Sequence, residues 1–156
     1  MSTLPTHKAR SWVVPALSSS SASDLGLLLL RVCVGLSMAL THGRGTLTGL
    51  LNGEASFPDP LGLGPTLSMT LMAVAEFFCA LAVVLGLATR LACIPLVIGL
   101  GVAFFIFHAG DPFGHKELAY LYLCVFAALA LSGPGRWSVD AWLLRRLEFH
   151  KKENAS

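Results

Sequence analysis

Four apolar runs, at residues 25–42, about 67–87, 91–108 and 117–131, are separated by breaks rich in Gly, Pro and polar residues. None alternates apolar and polar side chains residue by residue, as a half-buried or barrel strand would. A helix that crosses a bilayer needs about 20 residues, with a range of about 17–25. The second run meets this, the first and third lie near the lower limit, and the fourth reaches it by continuing through Ser132 and Gly133. Unbroken apolarity suits helices, whose backbone groups are satisfied within the segment. The pattern predicts an all-α transmembrane four-helix bundle.

The breaks predict the rest of the architecture. Residues 1–23 are small and polar, ending in SSSSAS, and no apolar core closely follows Lys8 and Arg10. They read as a flexible tail, not a signal peptide, with Ser23 and Asp24 as helix-capping types. Residues 43–66 form a long Gly/Pro-rich loop containing FPDPLGLGP, apolar enough to fold over the mouth of the bundle. Residues 88–90 make a tight turn, so the second and third helices are antiparallel neighbours, and 109–116 form another compact turn. Gly133, Pro134 and Gly135 stop the last span. Beyond them Val139, Trp142, Leu143 and Leu147 recur at spacings of three or four beside Arg145 and Arg146. This predicts a C-terminal amphipathic interfacial helix in a basic tail at 136–156, with residues 24–135 as the membrane domain.

Composition moves the surface into lipid. The chain of 156 residues is 54% hydrophobic and 13% charged, against about 25% charged in a soluble domain. Mean hydropathy is +0.70. A net charge of +2 without a basic, aromatic-interleaved stripe gives no reason to expect nucleic acid. Cys33, Cys79, Cys93 and Cys124 fall in four different runs, with no CxxC or Cys/His metal spacing, and read as small buried hydrophobes. Lys8, Arg10, Arg90, Arg136, Arg145, Arg146, Lys151 and Lys152 would share one side, and Arg44 and Lys116 the other. The positive-inside rule then puts both termini in the cytoplasm.

Ionisable side chains inside the runs carry the candidate chemistry, because each costs a few kcal/mol near a bilayer centre. Arg31 lies about seven residues in from the cytoplasmic end of the first run and Glu76 about eleven from the cytoplasmic end of the second, an offset of roughly 6 Å. An Arg31–Glu76 pair is therefore within side-chain reach, the alternative being that Arg31 snorkels to the headgroups. Arg31, Gly35, Met38 and His42 share one helical face, and Glu76 shares a face with Ala73, Cys79, Ala80 and Val83. In the fourth helix Glu117, Tyr120 and Cys124 line up, and all these faces are expected to point inward. His42 ends the first run, His108 the third, and Glu117 opens the fourth, which predicts a polar pocket at the outer membrane level. Such a pocket could orient a quinone or relay protons. No HxxxH or ExxH spacing fixes ligands on one helix, so no metal site is expected.

These features together resemble the DoxX family of small four-helix membrane proteins. The matching residues are LRVCVG with Arg31 and Gly35, THG at 41–43, AEFFCALAVVLGLATR with Glu76, Gly86 and Arg90, His108, Glu117 and the closing GPGRWSVD at 133–140. Arg44 stands near where the family commonly has a lysine. The resemblance covers about residues 25–141. It implies an integral inner- or plasma-membrane protein; some relatives are linked to quinone-coupled sulfur oxidation and others to membrane complexes handling thiol oxidative stress.

Three functions compete. The first is a subunit or accessory of a quinone- or thiol-linked redox system. It would have no cofactor motif of its own, a quinone as candidate ligand, and a partner redox protein or a second copy of the chain. The second is a non-enzymatic scaffold or assembly partner with Arg31–Glu76 as a clamp, and the third a small-solute or proton carrier.

Overall fold

The computed structural model describes residues 21–54 and 56–153, and most of the predicted N-terminal tail lies outside them. Four helices are long and apolar enough to cross a membrane: α1 Ser21–Leu51, α2 Pro65–Leu85, α3 Thr89–Phe107 and α4 Phe113–Ser132. A fifth helix, α5 Val139–Glu153, follows. The all-α reading with a C-terminal helix holds.

Several boundaries differ from expectation: α1 begins at Ser21, within the expected tail, and α3 begins at Thr89, so the turn before it lies at 86–88 and not at 88–90. α1 has 31 residues, about 46 Å at 1.5 Å per residue, and does not stop at His42. Its last turns, RGTLTGLL, contain no proline, and Thr46 and Thr48 bond back to the carbonyls of His42 and Arg44 at 3.2 and 2.8 Å. α4 begins at Phe113 because Pro112, with no N–H to satisfy, stands at its N-cap. His115 and Lys116 are therefore helical, and the connection from α3 is shorter than predicted.

The helices pack in chain order. α1 lies antiparallel to α2, with Gly35 against Ala80 and Val84, Gly43 against Glu76, and Gly49 against Met69. Small residues let the two backbones approach where no water is present to drive association. α3 packs extensively on α4, and Met38, Val83, Cys93, Leu96, Phe126 and Leu129 form the buried centre. Large apolar side chains such as Leu29, Phe78, Ile98, Phe105 and Leu131 point outward, as a lipid-facing surface requires.

At one end, called the junction, the chain after α4 ties the helix termini together. Gly86, in the left-handed region, closes α2: Leu87 N–H donates to Ala82 O at 2.9 Å. Asp140 reaches back from α5 and accepts from Ala88 N–H at 2.8 Å and Thr89 N–H at 3.1 Å. It thus caps α3, and its own N–H donates to Gly86 O at 3.0 Å. Asp24, buried in the first turns of α1, accepts from Arg136 N–H at 3.1 Å. Ser138 caps α5 by accepting from Ala141 N–H at 3.1 Å.

At the other end, the loop end, Asp59 braces the Pro-rich connection. It accepts from Leu63 N–H, Gly64 N–H and the Ser68 hydroxyl at 2.9, 2.7 and 2.7 Å. The Ser68 hydroxyl, with those main-chain donors, holds the Asp59 carboxyl below its ordinary value. A depressed folded pKa means the brace is fully present above the ordinary aspartate pKa of about 3.9 and is lost only as pH falls through the lower folded value. Asp59→Asn is accordingly expected to speed hydrogen exchange at the Leu63 and Gly64 amides at neutral pH. The wild type should show the same loosening only in strong acid. Equal exchange in the two proteins at neutral pH would contradict this.

Candidate functional site

Near the middle of the bundle, α1 and α2 each take one wide turn with i+5 hydrogen bonding, at Met38–Gly43 and Val74–Cys79. Such turns insert one extra residue and recur at functional sites in helices. The two face each other. Gly43 makes this possible, since a Cβ there would lie 2.5 Å from the Glu76 carbonyl carbon and oxygen.

This contact gathers a polar cluster. The Thr46 hydroxyl lies 2.9 Å from Glu76 Oε2. His42 lies within electrostatic range of Glu76, and its ring packs edge-on to Tyr122 with centroids 5.8 Å apart. The Tyr122 hydroxyl is 2.7 Å from Ser37 Oγ, linking α4 to α1. Glu76 is the twelfth residue of the 21 in α2, about 16 Å from the helix start. That depth is near the centre of a hydrocarbon layer about 30 Å thick. Among the described residues Thr46 is its only hydrogen-bond partner.

The predicted Arg31–Glu76 pair is not formed. Arg31 is fully buried at the junction, donating to Trp137 O at 2.6 Å and Val83 O at 3.3 Å, with Asp140 the nearby negative charge. The expected offset fails because α1 starts before the apolar run and continues beyond it. Arg31 therefore sits opposite the end of α2, while Gly43, twelve positions later, sits opposite Glu76. Arg31 does not snorkel either; its donors are taken up by the Trp137 carbonyl and by the Val83 carbonyl, which also accepts from Gly86 N–H at 3.1 Å.

Nor does the predicted outer pocket of His42, His108 and Glu117 assemble. His42 lies deeper, because α1 runs nine residues past it to Leu51. His108 Nδ1 is 2.6 Å from Asp111 in the turn after α3. That contact holds the Asp111 carboxyl below its ordinary range. Lys116 donates to the carbonyls of His108 and Ala109 at 3.1 and 3.3 Å, closing the end of α3. Glu117 and Tyr120 are exposed. The inward face of α4 is Tyr122, Phe126 and Leu129 instead of Glu117, Tyr120 and Cys124. The apolar and aromatic side chains take the interior, and the first-turn carboxylate stays outside. Among the described residues, no His/Cys/Asp/Glu group is arranged to hold a metal.

Of the six candidate residues, His42 and Glu76 share a site; Arg31 lies at the junction and His108, Glu117 and Tyr120 at the loop end. Ser37, Thr46 and Tyr122 are members that pattern reading missed. Thr46 follows His42 by four residues, a usable signal once α1 is known to continue. Ser37 precedes His42 by five, a spacing that only the wide turn brings onto one face.

Comparison with known proteins agrees with this architecture. The family model described as DoxX matches residues 26–109, from α1 through the end of α3. The chain is 27% identical over 127 residues to the "Inner membrane protein YqjF" of Escherichia coli (strain K12), covering 79% of this chain and 95% of that protein. No solved structure matches.

Proposed function

The chain belongs to the DoxX family of membrane proteins, and from that premise we propose that it is the membrane subunit or accessory of a quinone-linked redox system. In this reading it is a multi-pass inner-membrane protein with the junction end cytoplasmic. The location follows the printed name of the bacterial relative, and the orientation follows the eight basic residues on one side against two on the other.

One observation carries the proposal: among the described residues, the intramembrane Glu76 carboxyl has a single hydroxyl donor and no arginine partner. A structural clamp at this depth would satisfy its charge fully. Glu76 instead keeps acceptor capacity toward a site that also holds an imidazole and a phenol. These groups suit a planar ligand with two carbonyls. Tyr122 and His42 can donate to an oxygen, and Thr46 orients the carboxyl. Bound there, a quinone would supply two-electron, two-proton redox chemistry. The chain's own residues hold and pass protons: Glu76 through its free oxygen, and His42 between the carboxyl and the Tyr122 ring. The four cysteines are free thiols; in this reading a partner protein supplies the electrons.

A scaffold role is the second reading, favoured by the junction, where Arg31, Asp24 and Asp140 fasten helix ends without any need for Glu76. Solvent extraction of the purified protein separates the two. The redox reading expects about one quinone per chain. Protein with neither bound quinone nor quinone-dependent turnover, assayed with its membrane partners present, supports the scaffold.

A further inference from the structure

The junction end carries a second, unrelated arrangement. Among the described residues, α5 is hydrogen-bonded to the bundle at its start, through the Asp140 carboxylate and main-chain N–H. Trp137, Leu144 and Leu147 are each more than 60% exposed, with Trp142 and Leu143 exposed beside them. Because Asp140 caps α3 directly, α5 leaves the bundle at the level where α2 ends and α3 begins. Below its first turn lies a cavity of about 320 Å³ lined by Leu28, Leu85, Trp137, Ser138, Val139 and Trp142. Its lining is mostly apolar, and the segment that covers it carries arginines. The Arg146 guanidinium lies 4.6 Å from the centre of the Trp142 ring, and Arg136 and Arg145 are exposed on the same segment. Among the described residues, no arginine or lysine lies within 4.0 Å of a carboxylate; the short contact of that kind is His108–Asp111. Asp140 has both oxygens occupied by the α3 cap.

We propose that this corner is a binding site for anionic phospholipid of the leaflet it faces. Arg146, with Arg145 and Arg136, takes the phosphate, and the cavity under Trp142 takes the first segment of an acyl chain. Exposed guanidinium groups are charge-complementary to that headgroup, and their forked donors match its oxygens. The aromatic rings suit the headgroup level, and Trp142 already stacks one cation over the groove. A zwitterionic lipid would fill the same groove but return less charge to the rim.

The test uses the full chain with Trp12→Phe, so that fluorescence reports only Trp137 and Trp142. The protein is reconstituted in phosphatidylcholine vesicles containing brominated phosphatidylglycerol, and separately in the converse mixture. The relative affinity of the two lipids is read from quenching. Phosphatidylglycerol is expected to be preferred. The preference should fall about fivefold per arginine in Arg145→Gln and Arg146→Gln, singly and together, and weaken as salt is raised. Equal quenching by the two headgroups in the parent protein would overturn the proposal. So would a preference that survives the double substitution unchanged.

Discussion

Replacing Arg31 with glutamine is expected to lower unfolding stability in detergent by about 3 kcal/mol and to loosen α5 from the bundle. Arg31 is 0% exposed and donates to two main-chain carbonyls from segments far apart in sequence, Val83 O in α2 and Trp137 O in the Gly/Pro-rich segment. A charge-assisted bond of this kind contributes about 1.5–3 kcal/mol, and a carbonyl left unpaired in the interior adds a further penalty. Glutamine is shorter and lacks the fork, so it cannot reach both. Lysine keeps the charge but offers no planar pair of donors, and should recover only part of the loss. Two readouts check this: the thermal midpoint, and the rate of tryptic cleavage at Arg145 and Arg146. Wild-type values for both in Arg31→Gln would mean that the junction does not depend on this side chain.

The second large effect is at Gly43. An alanine Cβ there would stand 2.5 Å from the Glu76 carbonyl carbon and oxygen and 2.6 Å from Phe77 N. All three are backbone atoms, so no rotamer change relieves the clash, and α1 and α2 must separate at the level of the polar cluster. Overpacking of this kind costs about 1–3 kcal/mol. Gly45 is the internal control, since its Cβ would meet nothing within 4 Å. Gly45→Ala should therefore stabilise by about 0.5–1 kcal/mol through helix propensity alone. The same substitution two positions apart is expected to have opposite signs in an unfolding titration. A neutral Gly43→Ala would show that the two wide turns are not in tight contact.

The number of helices, the α2–α3 antiparallel turn and the C-terminal helix were legible because each rests on a local signal. These are the apolar run length, the short break between the second and third runs, expected at 88–90 and found at 86–88, and the Val139/Trp142/Leu143/Leu147 spacing. Register was not legible. It depends on where α1 begins and ends, and both ends are made of residues that are neither strongly apolar nor helix breakers: SASD at the start and RGTLTG beyond His42. An error there misplaced Arg31 relative to Glu76 and moved His42 to the wrong membrane level. The wide turns were invisible for a related reason, since an extra residue per turn leaves no compositional mark. The motifs LRVCVG, GLATR and GPGRWSVD, scattered along the chain, meet at the junction. Arg31, Gly86 and Asp140 there satisfy one another's backbone neighbours. Short motifs can thus mark a fold-wide fastening as readily as a reactive site.

Glu76 carries the functional account, and its own substitution tests that account most directly. A water-soluble short-chain quinone is titrated calorimetrically into wild-type protein and Glu76→Gln protein in lipid nanodiscs, with the thermal midpoint of each recorded. Saturable one-site binding is expected in the wild type, weakened tenfold or more in Glu76→Gln while the midpoint stays unchanged. A tenfold loss corresponds to about 1.4 kcal/mol. Equal affinity in the two proteins, or a midpoint that falls as far as in Arg31→Gln, would contradict a ligand site and return Glu76 to a structural role.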